Sequence, residues 1–385
     1  MTLEEGLAIN PGSRVSRWPA GTVASYSNAG ASVAGRLIEN VTGIPYADFI
    51  KSRILSKLEL KDSGFDLILG KKLTSFQDPQ TPFAFTNLWA DSAGGLAMSA
   101  RDLTRITNTF MQGGGSVISN ASVRRMETQS TSLMAQRGVP SGFGPGLETR
   151  NRKGHLYRVH SGAIDGYNSE FGYLPTAGLG YVLFTNTADG DTFIEVSRAI
   201  RTTIENEADP VTPRAIASLP DLDRVKGAYR AGSTRNGTFF LLDLLLGPQR
   251  VDKEGNTLTM TSYEFGDEMA LEPLGNGLFT EDQVLTASHL LVGKPGEHVI
   301  MTTDGDALEQ TSAIEALAPI TLFALTVGAG VVALLVILGG LVVRLFRSFA
   351  LNAFVRLWIW PALAGLSFVA FVVVLISALN DPIVY

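Results

Sequence analysis

The chain has 385 residues, a formal net charge of −6 at pH 7 and no cysteine. Its length is sufficient for two or three folded units with cores of ordinary size. An acidic balance without a long basic tract excludes nucleic acid as an expected partner, and a chain without cysteine has neither disulfides nor thiolate zinc sites.

Helical periodicity dominates the beginning of the chain. Residues 29–42 predict a helix that ends at Gly43, and Pro45 predicts the start of a second helix. Ser99 precedes a further helix and has Asp102 at the third helical position, a pattern close to a capping box. The apolar residues that share one face of the first helix are Val33, Leu37, Ile38 and Val41.

From residue 143 onward the pattern changes to a period of two, which is typical of strands. The segments HLYRVHSG (155–162), NSEFGYLP (168–175) and LGYVLFTNT (179–187) predict strands, and their short connections favour antiparallel pairing. A closing helix follows, with its apolar residues at Phe193, Ile194, Ile200 and Ile204. Helices, an antiparallel sheet and a closing helix together predict an α+β domain over residues 1–208.

The next part of the chain has a different composition. Residues 209–220 contain three prolines and predict a linker. Residues 221–312 are rich in short strand-like runs separated by turn signals, and they predict a small all-β sandwich or barrel. The turn signals are Asn236-Gly237, Gly255-Asn256 and Asn276-Gly277. This part carries no chemical motif, so a packing or substrate-gating role is expected.

Two segments without charge, 316–343 and 357–380, predict transmembrane helices. A helix rises about 1.5 Å per residue, so each segment can span a hydrocarbon core of roughly 30 Å. The connection between them contains arginines and no acidic residue, which places it in the cytoplasm by the positive-inside rule. The soluble domains are then extracytoplasmic, the protein lies in the cell membrane, and the lipid bilayer is an expected partner.

Two short motifs carry the chemistry of the chain. They are Tyr26-Ser27-Asn28 and His160-Ser161-Gly162, within the flanks PAGTVASYSNAG and HSGAIDGYNSEFGYLPTAGLGYVLFTN, with AGGLAMSARDL between them. With this ordered set, residues 1–205 resemble the class C β-lactamases and penicillin-binding-protein-like serine hydrolases of bacteria. That group carries a Ser-x-x-Lys nucleophile motif, then Tyr-x-Asn, then Lys-Thr-Gly or His-x-Gly. The resemblance implies a partial serine β-lactamase-like fold and a small-molecule or peptide substrate.

The resemblance also implies roles for individual residues. The candidate catalytic residues are Tyr26, Asn28 and His160, and the candidate substrate and oxyanion residues are Ser161, Gly162 and Ala163. Tyr26 would share its proton with the lysine and act as general base, because a neighbouring cation favours the phenolate. Asn28 would donate its amide to a substrate carbonyl, and His160 would contact Tyr26 or the substrate. The backbone N–H of Ala163 would be an oxyanion donor, and Gly162 would let the substrate lie close to the strand.

Each of these residues also has a purely structural interpretation. Asn28 is suited to cap the helix that follows it, Tyr26 to fill a half-buried core position, and His160 to bond a neighbour on its strand. Arg158 shares a strand face with His160, where it would supply a positive charge for a substrate carboxylate or would be a solvated arginine. An imidazole attracts a carboxylate less than a lysine ammonium does, so esterase and D-amino-acid peptidase activities fit the motif as well as β-lactamase activity does.

The nucleophile motif is missing from the sequence. No lysine in the chain has a serine three positions before it, so Ser-x-x-Lys does not occur. The preferred interpretation is a fragment of a longer gene product, since the first residues also lack the features of a signal peptide. A second chain that supplies the nucleophile is one alternative, and a non-catalytic surface module that binds cell-wall peptides is another.

These observations combine into one expectation. The chain is the C-terminal portion of a membrane-anchored serine hydrolase that acts on esters, amides or peptidoglycan-type peptides through an acyl-enzyme. Alone it is expected to be inactive, with apolar surface of its first domain left uncovered. The histidines show no metal-ligand spacing, so neither a metal nor another cofactor is expected.

Overall fold

A computed structural model describes residues 3–9, 18–24, 26–65, 75–78, 81–82, 91–164, 166–208, 222–232, 244–281, 287–293, 298–303 and 306–346. Several of the features predicted from the sequence lie outside these residues. They are the linker at 209–220, the Asn236-Gly237 turn and the second apolar segment at 357–380.

Helices occur at intervals along the described residues between 3 and 205. They are α1 (Leu3–Ile9), α2 (Asn28–Thr42), α3 (Tyr46–Ile50, continued by a π-helical turn over Lys51–Leu55), α4 (Ala100–Met111), α5 (Asn120–Glu127), α6 (Leu133–Gln136) and α7 (Gly190–Glu205). The helices predicted around residues 29–42, after Pro45, after Ser99 and near Ile200 are all present. Gly43 ends α2 with φ of 67°, a left-handed conformation that glycine adopts without steric cost.

The start of α4 differs in one detail from the predicted capping box. Ser99 is the N-cap, and its hydroxyl accepts a hydrogen bond from the backbone N–H of Asp102 at 3.2 Å. The buried carboxylate of Asp102 does not return to the cap, however. It accepts from the backbone N–H of Asp62 at 2.9 Å and from the hydroxyl of Ser63 at 2.8 Å. Asp102 therefore ties α4 to the short strand that begins at Ser63.

The periodic apolar face of α2 is turned to the solvent. Its exposed fractions are 42 % at Val33, 60 % at Leu37 and 77 % at Val41. The opposite side of α2 packs closely against α1 and the π-helical segment Asp91–Gly95. A Cβ atom added to Gly35 would lie 2.5 Å from Ser92 Oγ, so a small residue is needed at this contact. The apolar face of α2 is therefore an exposed apolar surface.

The strands of the first domain form one antiparallel sheet and two short ladders. The sheet has the order β5-β6-β7-β8-β9, with β5 (Gly142–Phe143), β6 (Glu148–Arg152), β7 (His155–Ile164), β8 (Tyr167–Leu174) and β9 (Leu179–Thr185). The short ladders pair β1 (Ser63–Gly64) with β4 (Ala97–Met98), and β2 (Phe76–Asp78) with β3 (Thr81–Pro82). The strands predicted from the period-two pattern are therefore confirmed, as is their antiparallel pairing.

The register of β7 leaves part of this strand open on one side. His160 lies opposite Phe171 of β8, and Ser161 lies opposite Glu170. On its other side β7 pairs with β6 only as far as Val159. From His160 onward, β8 is the only described strand that pairs with β7. Every second backbone N–H group of β7 therefore points away from β8 and has no partner strand among the described residues.

Helices cover both faces of this sheet. On one face, α4 packs on β8 and β9, and the rings of Phe110 and Phe171 lie 6.3 Å apart. On the other face, α7 packs over a buried cluster that includes Tyr157, Val159 and Tyr181. This arrangement of helices and an antiparallel sheet is the predicted α+β fold.

The second part of the chain forms a closed antiparallel barrel. Its strands are β10 (Gly227–Ala231), β11 (Gln249–Glu254), β12 (Thr257–Ser262), β13 (Glu268–Gly275), β14 (Leu278–Thr280), β15 (His289–Val292), β16 (Val299–Thr302) and β17 (Ala307–Thr311). Of the two predicted architectures, the barrel is the correct one. Its interior holds a buried apolar core, led by Tyr229, Leu258, Leu271 and Phe279, so side chains fill it. The Asn276-Gly277 turn joins β13 to β14 with φ of 54° and 78°.

The barrel continues almost directly into a long helix, α8 (Ala313–Phe346). Ser312 lies between β17 and α8, and its hydroxyl accepts from the N–H of Glu315 at 3.2 Å while the Glu315 carboxylate accepts from the N–H of Ser312 at 3.3 Å. This reciprocal pair is a capping box. Residues Ala313–Val332 of α8 are long and apolar enough to cross a membrane, and they are almost entirely exposed. The first predicted span, 316–343, lies within this helix.

Candidate active site

The fold brings the two sequence motifs together. The ring centroids of Tyr26 and His160 lie 6.2 Å apart, with an angle of 54° between the ring planes. Phe143 of β5 also lies close to Tyr26, with 6.1 Å between the ring centroids. The side chain of Tyr26 is 48 % exposed, so its phenol borders solvent and does not fill a core position.

The start of α2 fixes the position of Tyr26 and Asn28. Ser27 is the N-cap of this helix, and its hydroxyl accepts from the backbone N–H of Gly30 at 3.0 Å. Asn28 is the first helical residue and is exposed. The interpretation of Asn28 as a simple N-cap is therefore wrong, because Ser27 has that role. The helix instead presents Asn28 beside the loop that carries Tyr26.

His160 has a defined hydrogen-bond partner on its own strand. Its Nδ1 lies 2.9 Å from the backbone carbonyl oxygen of Ser161. A carbonyl oxygen only accepts, so Nδ1 donates in this contact, and in the neutral ring Nε2 is the acceptor nitrogen. The imidazole can thus accept a proton at Nε2 while its orientation is held from the other side. The structural interpretation of His160 as a residue bonded to a strand neighbour is correct, and it is compatible with a chemical role.

The residues after His160 lie on alternating faces of β7. The hydroxyl of Ser161 is 3.4 Å from Nη2 of Arg150, on the face opposite to His160. A Cβ atom added to Gly162 would lie 2.9 Å from the hydroxyl oxygen of Ser169, so this position has little room for a side chain. Ala163 is exposed and lies in the part of β7 that pairs only with β8. A backbone N–H at this open edge is suited to bind an oxyanion.

Residues 13–204 match the beta-lactamase family. This part of the chain is a beta-lactamase family domain. The match spans Tyr26, Asn28, Phe143 and the His160-Ser161-Gly162 motif, which are the residues that surround the candidate site. The resemblance noted in the sequence is thus confirmed at the level of the family.

Several solved structures are similar in fold to parts of this chain. The penicillin-binding protein homologue from Pyrococcus abyssi is 19 % identical, with 80 % of this chain and 70 % of that chain covered and a TM-score of 0.43. The D-amino acid amidase from Ochrobactrum anthropi SV3 is 21 % identical, with coverages of 46 % and 57 % and a TM-score of 0.37. The class C beta lactamase from Rhodobacter sphaeroides is 18 % identical, with coverages of 48 % and 61 % and a TM-score of 0.37.

The sequence allows two interpretations of Arg158, a solvated arginine and a positive charge for a substrate carboxylate. Arg158 is partly buried, and its Nη1 lies 3.4 Å from the carbonyl oxygen of Leu156. Burial lowers the pKa of the Arg158 guanidinium, and the nearby Glu127 and Tyr173 raise it. Glu127 in turn accepts a hydrogen bond from the hydroxyl of Tyr173 at 2.7 Å. Arg158 is therefore not a fully solvated arginine, and its contact with a substrate carboxylate stays a prediction.

Beneath His160 the beta-lactamase domain contains a buried network of charges that the sequence did not predict. We call it the sheet network, and it consists of Glu148, Arg150, Glu170, Tyr181, Ser197 and Arg201. Arg150 binds Glu148 through two contacts of 2.7 Å and reaches Glu170 at 3.2 Å. Glu170 also accepts from Arg201 at 2.9 Å and from Tyr181 at 2.6 Å. Two carboxylates thus balance two guanidiniums, which is how buried charges are tolerated.

Alkaline pH is expected to destabilise the folded chain through this network. Burial, followed by the charge of Glu170, raises the pKa of Tyr181 to about 12. An unfolded tyrosine titrates near pH 10, so the neutral Tyr181 stabilises the fold fully below that pH. This contribution is lost as pH rises to about 12, at about 1.4 kcal/mol per pH unit, because unfolding releases the proton. Urea unfolding of the full chain in detergent micelles at a series of alkaline pH values measures this slope.

A phenylalanine variant isolates the part of the slope that belongs to Tyr181. In Tyr181→Phe, the free energy of unfolding should fall less steeply between pH 10 and about 12. The slope should be smaller by the contribution of the one proton that Tyr181 releases on unfolding, about 1.4 kcal/mol per pH unit. Burial raises the pKa of five further tyrosines, which should keep the remaining slope negative. These are Tyr46, Tyr157, Tyr167, Tyr173 and Tyr229. Equal slopes for the wild-type chain and Tyr181→Phe would contradict the prediction.

Proposed function

We propose that this chain forms the tyrosine and histidine side of a serine-hydrolase site that cleaves esters, amides or cell-wall peptides through an acyl-enzyme. The observation that carries the proposal is the distance of 6.2 Å between the rings of Tyr26 and His160, in a domain of the beta-lactamase family. The two residues belong to motifs far apart in the sequence. His160 lies where the pairing of β7 with β6 ends, and we propose that a substrate carbonyl binds at this open edge.

Each residue has a defined role in the proposed reaction. As a phenolate, favoured by the charged lysine of the Ser-x-x-Lys element, Tyr26 takes the proton of the nucleophilic serine and becomes a neutral phenol as the serine oxygen attacks the substrate carbonyl. The backbone N–H of Ala163 donates to the oxyanion that forms. The proton then passes to the leaving alcohol or amine, and water releases the acyl group by the reverse sequence. Asn28 binds a carbonyl of the substrate, and Nε2 of His160 accepts a hydrogen bond from Tyr26 or the substrate.

The proposed reaction needs a nucleophilic serine and a lysine, and the 385 residues do not contain them as a Ser-x-x-Lys motif. No lysine among them follows a serine by three positions. We propose that a Ser-x-x-Lys element docks beside Tyr26, from the same polypeptide or from a second chain. Two features of the described residues support this. The apolar face of α2 is exposed, and β9 pairs only with β8 and carries exposed apolar side chains at Leu179 and Phe184.

Complementation tests the proposed function directly. The full chain is produced together with a Ser-x-x-Lys segment from a beta-lactamase family protein, and hydrolysis of a short p-nitrophenyl ester is measured. We expect ester hydrolysis, and covalent labelling of the added serine by a fluorescent penicillin, only when both parts are present. The matched control is the same segment with its serine changed to alanine, which should give neither. Labelling of this chain alone would contradict the assignment of the nucleophile.

A non-catalytic binding module is the second candidate function. The absence of Ser-x-x-Lys from the sequence favours it, since a site without the nucleophile still offers Asn28 and the open edge of β7 to a peptide. In this case cell-wall peptides would bind reversibly to the chain alone and would be recovered unchanged. Binding with no gain of turnover on complementation would support the module over the hydrolase.

We also propose that α8 anchors the protein in the cell membrane. Its uncharged segment begins directly after the capping box at Ser312 and Glu315, so the barrel would lie next to the bilayer surface. With the arginines that follow the helix in the cytoplasm, the barrel and the beta-lactamase domain would be extracytoplasmic. Protease protection of the chain in sealed vesicles of known orientation tests this topology.

A further inference from the structure

One buried apolar cluster joins the beta-lactamase domain to the barrel. We call it the barrel interface, and its buried residues are Met134, Val139, Ala287, Leu290, Met301 and Ala307. Met134 and Val139 come from the beta-lactamase domain, and the others come from the barrel strands and their connections. Trp18 and Val23, in the loop that leads to Tyr26, pack against the same cluster. The interface therefore touches the segment of chain that carries the candidate general base.

Strand alternation separates the interface from the core of the barrel. Met301 and Leu290 lie opposite each other in the ladder between β15 and β16, and both point outward into the interface. Their chain neighbours Ile300 and Leu291 point inward and belong to the barrel core. A substitution at Met301 thus alters the interface, whereas one at Ile300 alters the interior of the barrel.

A first connection runs from the interface through α6 to the loop before Tyr26. The backbone N–H of Leu133 donates to the carbonyl oxygen of Thr22 at 3.0 Å. The side-chain amide of Gln136 donates to the carbonyl oxygen of Gly21 at 2.9 Å. The helix that carries the interface residue Met134 therefore also holds this loop in place.

A second connection reaches Tyr26 through Ser141 and Phe143. The hydroxyl of Ser141 lies 3.4 Å from the carbonyl oxygen of Ala287, which is an interface residue of the barrel. Two residues further along the chain, Phe143 packs against the ring of Tyr26 at 6.1 Å. Both the segment that precedes Tyr26 and the segment that carries Phe143 thus contact the same wall of the barrel.

We propose that the outer wall of the barrel positions the phenol of Tyr26, with Met301 and Leu290 as positioning residues. The barrel core is filled by side chains, so the barrel acts through its wall and not as a container for a ligand. The consequence for catalysis rests on the proposed function above. In enzyme catalysis, a displacement of a catalytic group by about 1 Å can lower the rate about a hundredfold.

A fluorine label at Tyr26 tests the proposal without requiring activity. 3-Fluorotyrosine is incorporated at position 26 of the full chain in detergent micelles, and its ¹⁹F NMR signal is recorded. We expect Met301→Ala to shift the signal by more than its line width or to split it, because the loop and Phe143 lose their common support. Val139→Ala should have the same effect from the other side of the interface, and it leaves every barrel residue unchanged. The matched control is Ile300→Val, which alters the adjacent inward position and should leave the signal in place.

Two results would overturn the proposal. An unchanged signal in both Met301→Ala and Val139→Ala, with the chain folded by circular dichroism, would show that the wall does not position Tyr26. An equal change in Ile300→Val would show that barrel stability, and not its outer wall, determines the signal. In the complemented hydrolase, Met301→Ala should lower kcat about a hundredfold with KM little changed. Failure of complementation would remove the proposed function but would leave the NMR result standing.

Discussion

Tyr26→Phe is expected to lower kcat/KM for ester hydrolysis at least a hundredfold in the chain complemented with a Ser-x-x-Lys segment. The substitution removes only the phenolic oxygen, so the contacts of the ring with Phe143 and His160 can persist. General acid–base catalysis by a positioned group contributes about 10²–10⁴ to a rate, and a hundredfold loss corresponds to about 2.7 kcal/mol of transition-state stabilisation. Initial rates with a p-nitrophenyl ester across a range of substrate concentrations measure the effect.

The same substitution at a distant tyrosine is the control for Tyr26→Phe. Tyr263 lies just beyond β12 of the barrel and is partly buried, and Tyr263→Phe should leave kcat/KM unchanged. Burst kinetics separate acylation of the serine from hydrolysis of the acyl-enzyme. Tyr26→Phe should slow acylation, so the rate of the burst should fall. Turnover equal to that of the unmodified chain would remove Tyr26 from the mechanism, and would leave the beta-lactamase family assignment intact.

Arg201→Met is expected to destabilise the chain by about 3 kcal/mol, near the lower end of the range for breaking a buried ion pair. Arg201 binds Glu170, whose side chain is 6 % exposed, at 2.9 Å. Its loss leaves the Glu170 carboxylate with Arg150 at 3.2 Å as its remaining cation in the sheet network. The lower end of the range is expected because Arg150 still compensates part of the charge. Urea unfolding in detergent micelles, monitored by circular dichroism, gives the difference in free energy.

Two further variants make the Arg201 prediction specific. Arg198 lies on the same helix and is exposed, so Arg198→Met should change the free energy of unfolding by less than about 0.5 kcal/mol. Adding Glu170→Gln to Arg201→Met should recover part of the loss, since the uncompensated charge is then removed. Equal destabilisation by Arg198→Met and Arg201→Met would mean that the effect comes from helix α7 in general and not from the sheet network.

The comparison of sequence and structure shows which kinds of feature can be predicted locally. The end of α2 at Gly43 and the turn at Asn276-Gly277 follow from residues that adopt positive φ at low cost, and both are present. The N-cap of α2 shows the limit of this reasoning. Ser27 and Asn28 are both good capping residues, and only the backbone conformation decides that Ser27 takes the role.

Residues that act at a distance along the chain carried no local signal. Phe143 belongs to no motif, yet its ring packs on Tyr26. Arg150 and Glu170 look like ordinary strand residues in the sequence, and their burial in one network depends on the register of β6, β7 and β8. The apolar periodicity of α2 predicted the helix correctly, but the direction of its apolar face depends on which elements cover the helix.

By itself, the sequence determined four helices of the first domain (α2, α3, α4 and α7), three of its strands (β7, β8 and β9), the family to which the domain belongs and the apolar segment that becomes α8. It did so because periodicity, turn residues and catalytic motifs are properties of short stretches of chain. Only the tertiary structure decided that Tyr26 meets His160, that the all-β part closes into a barrel, and that the barrel wall supports the Tyr26 loop. Those contacts join distant segments, and their free energy comes from burial and pairing that no single segment contains.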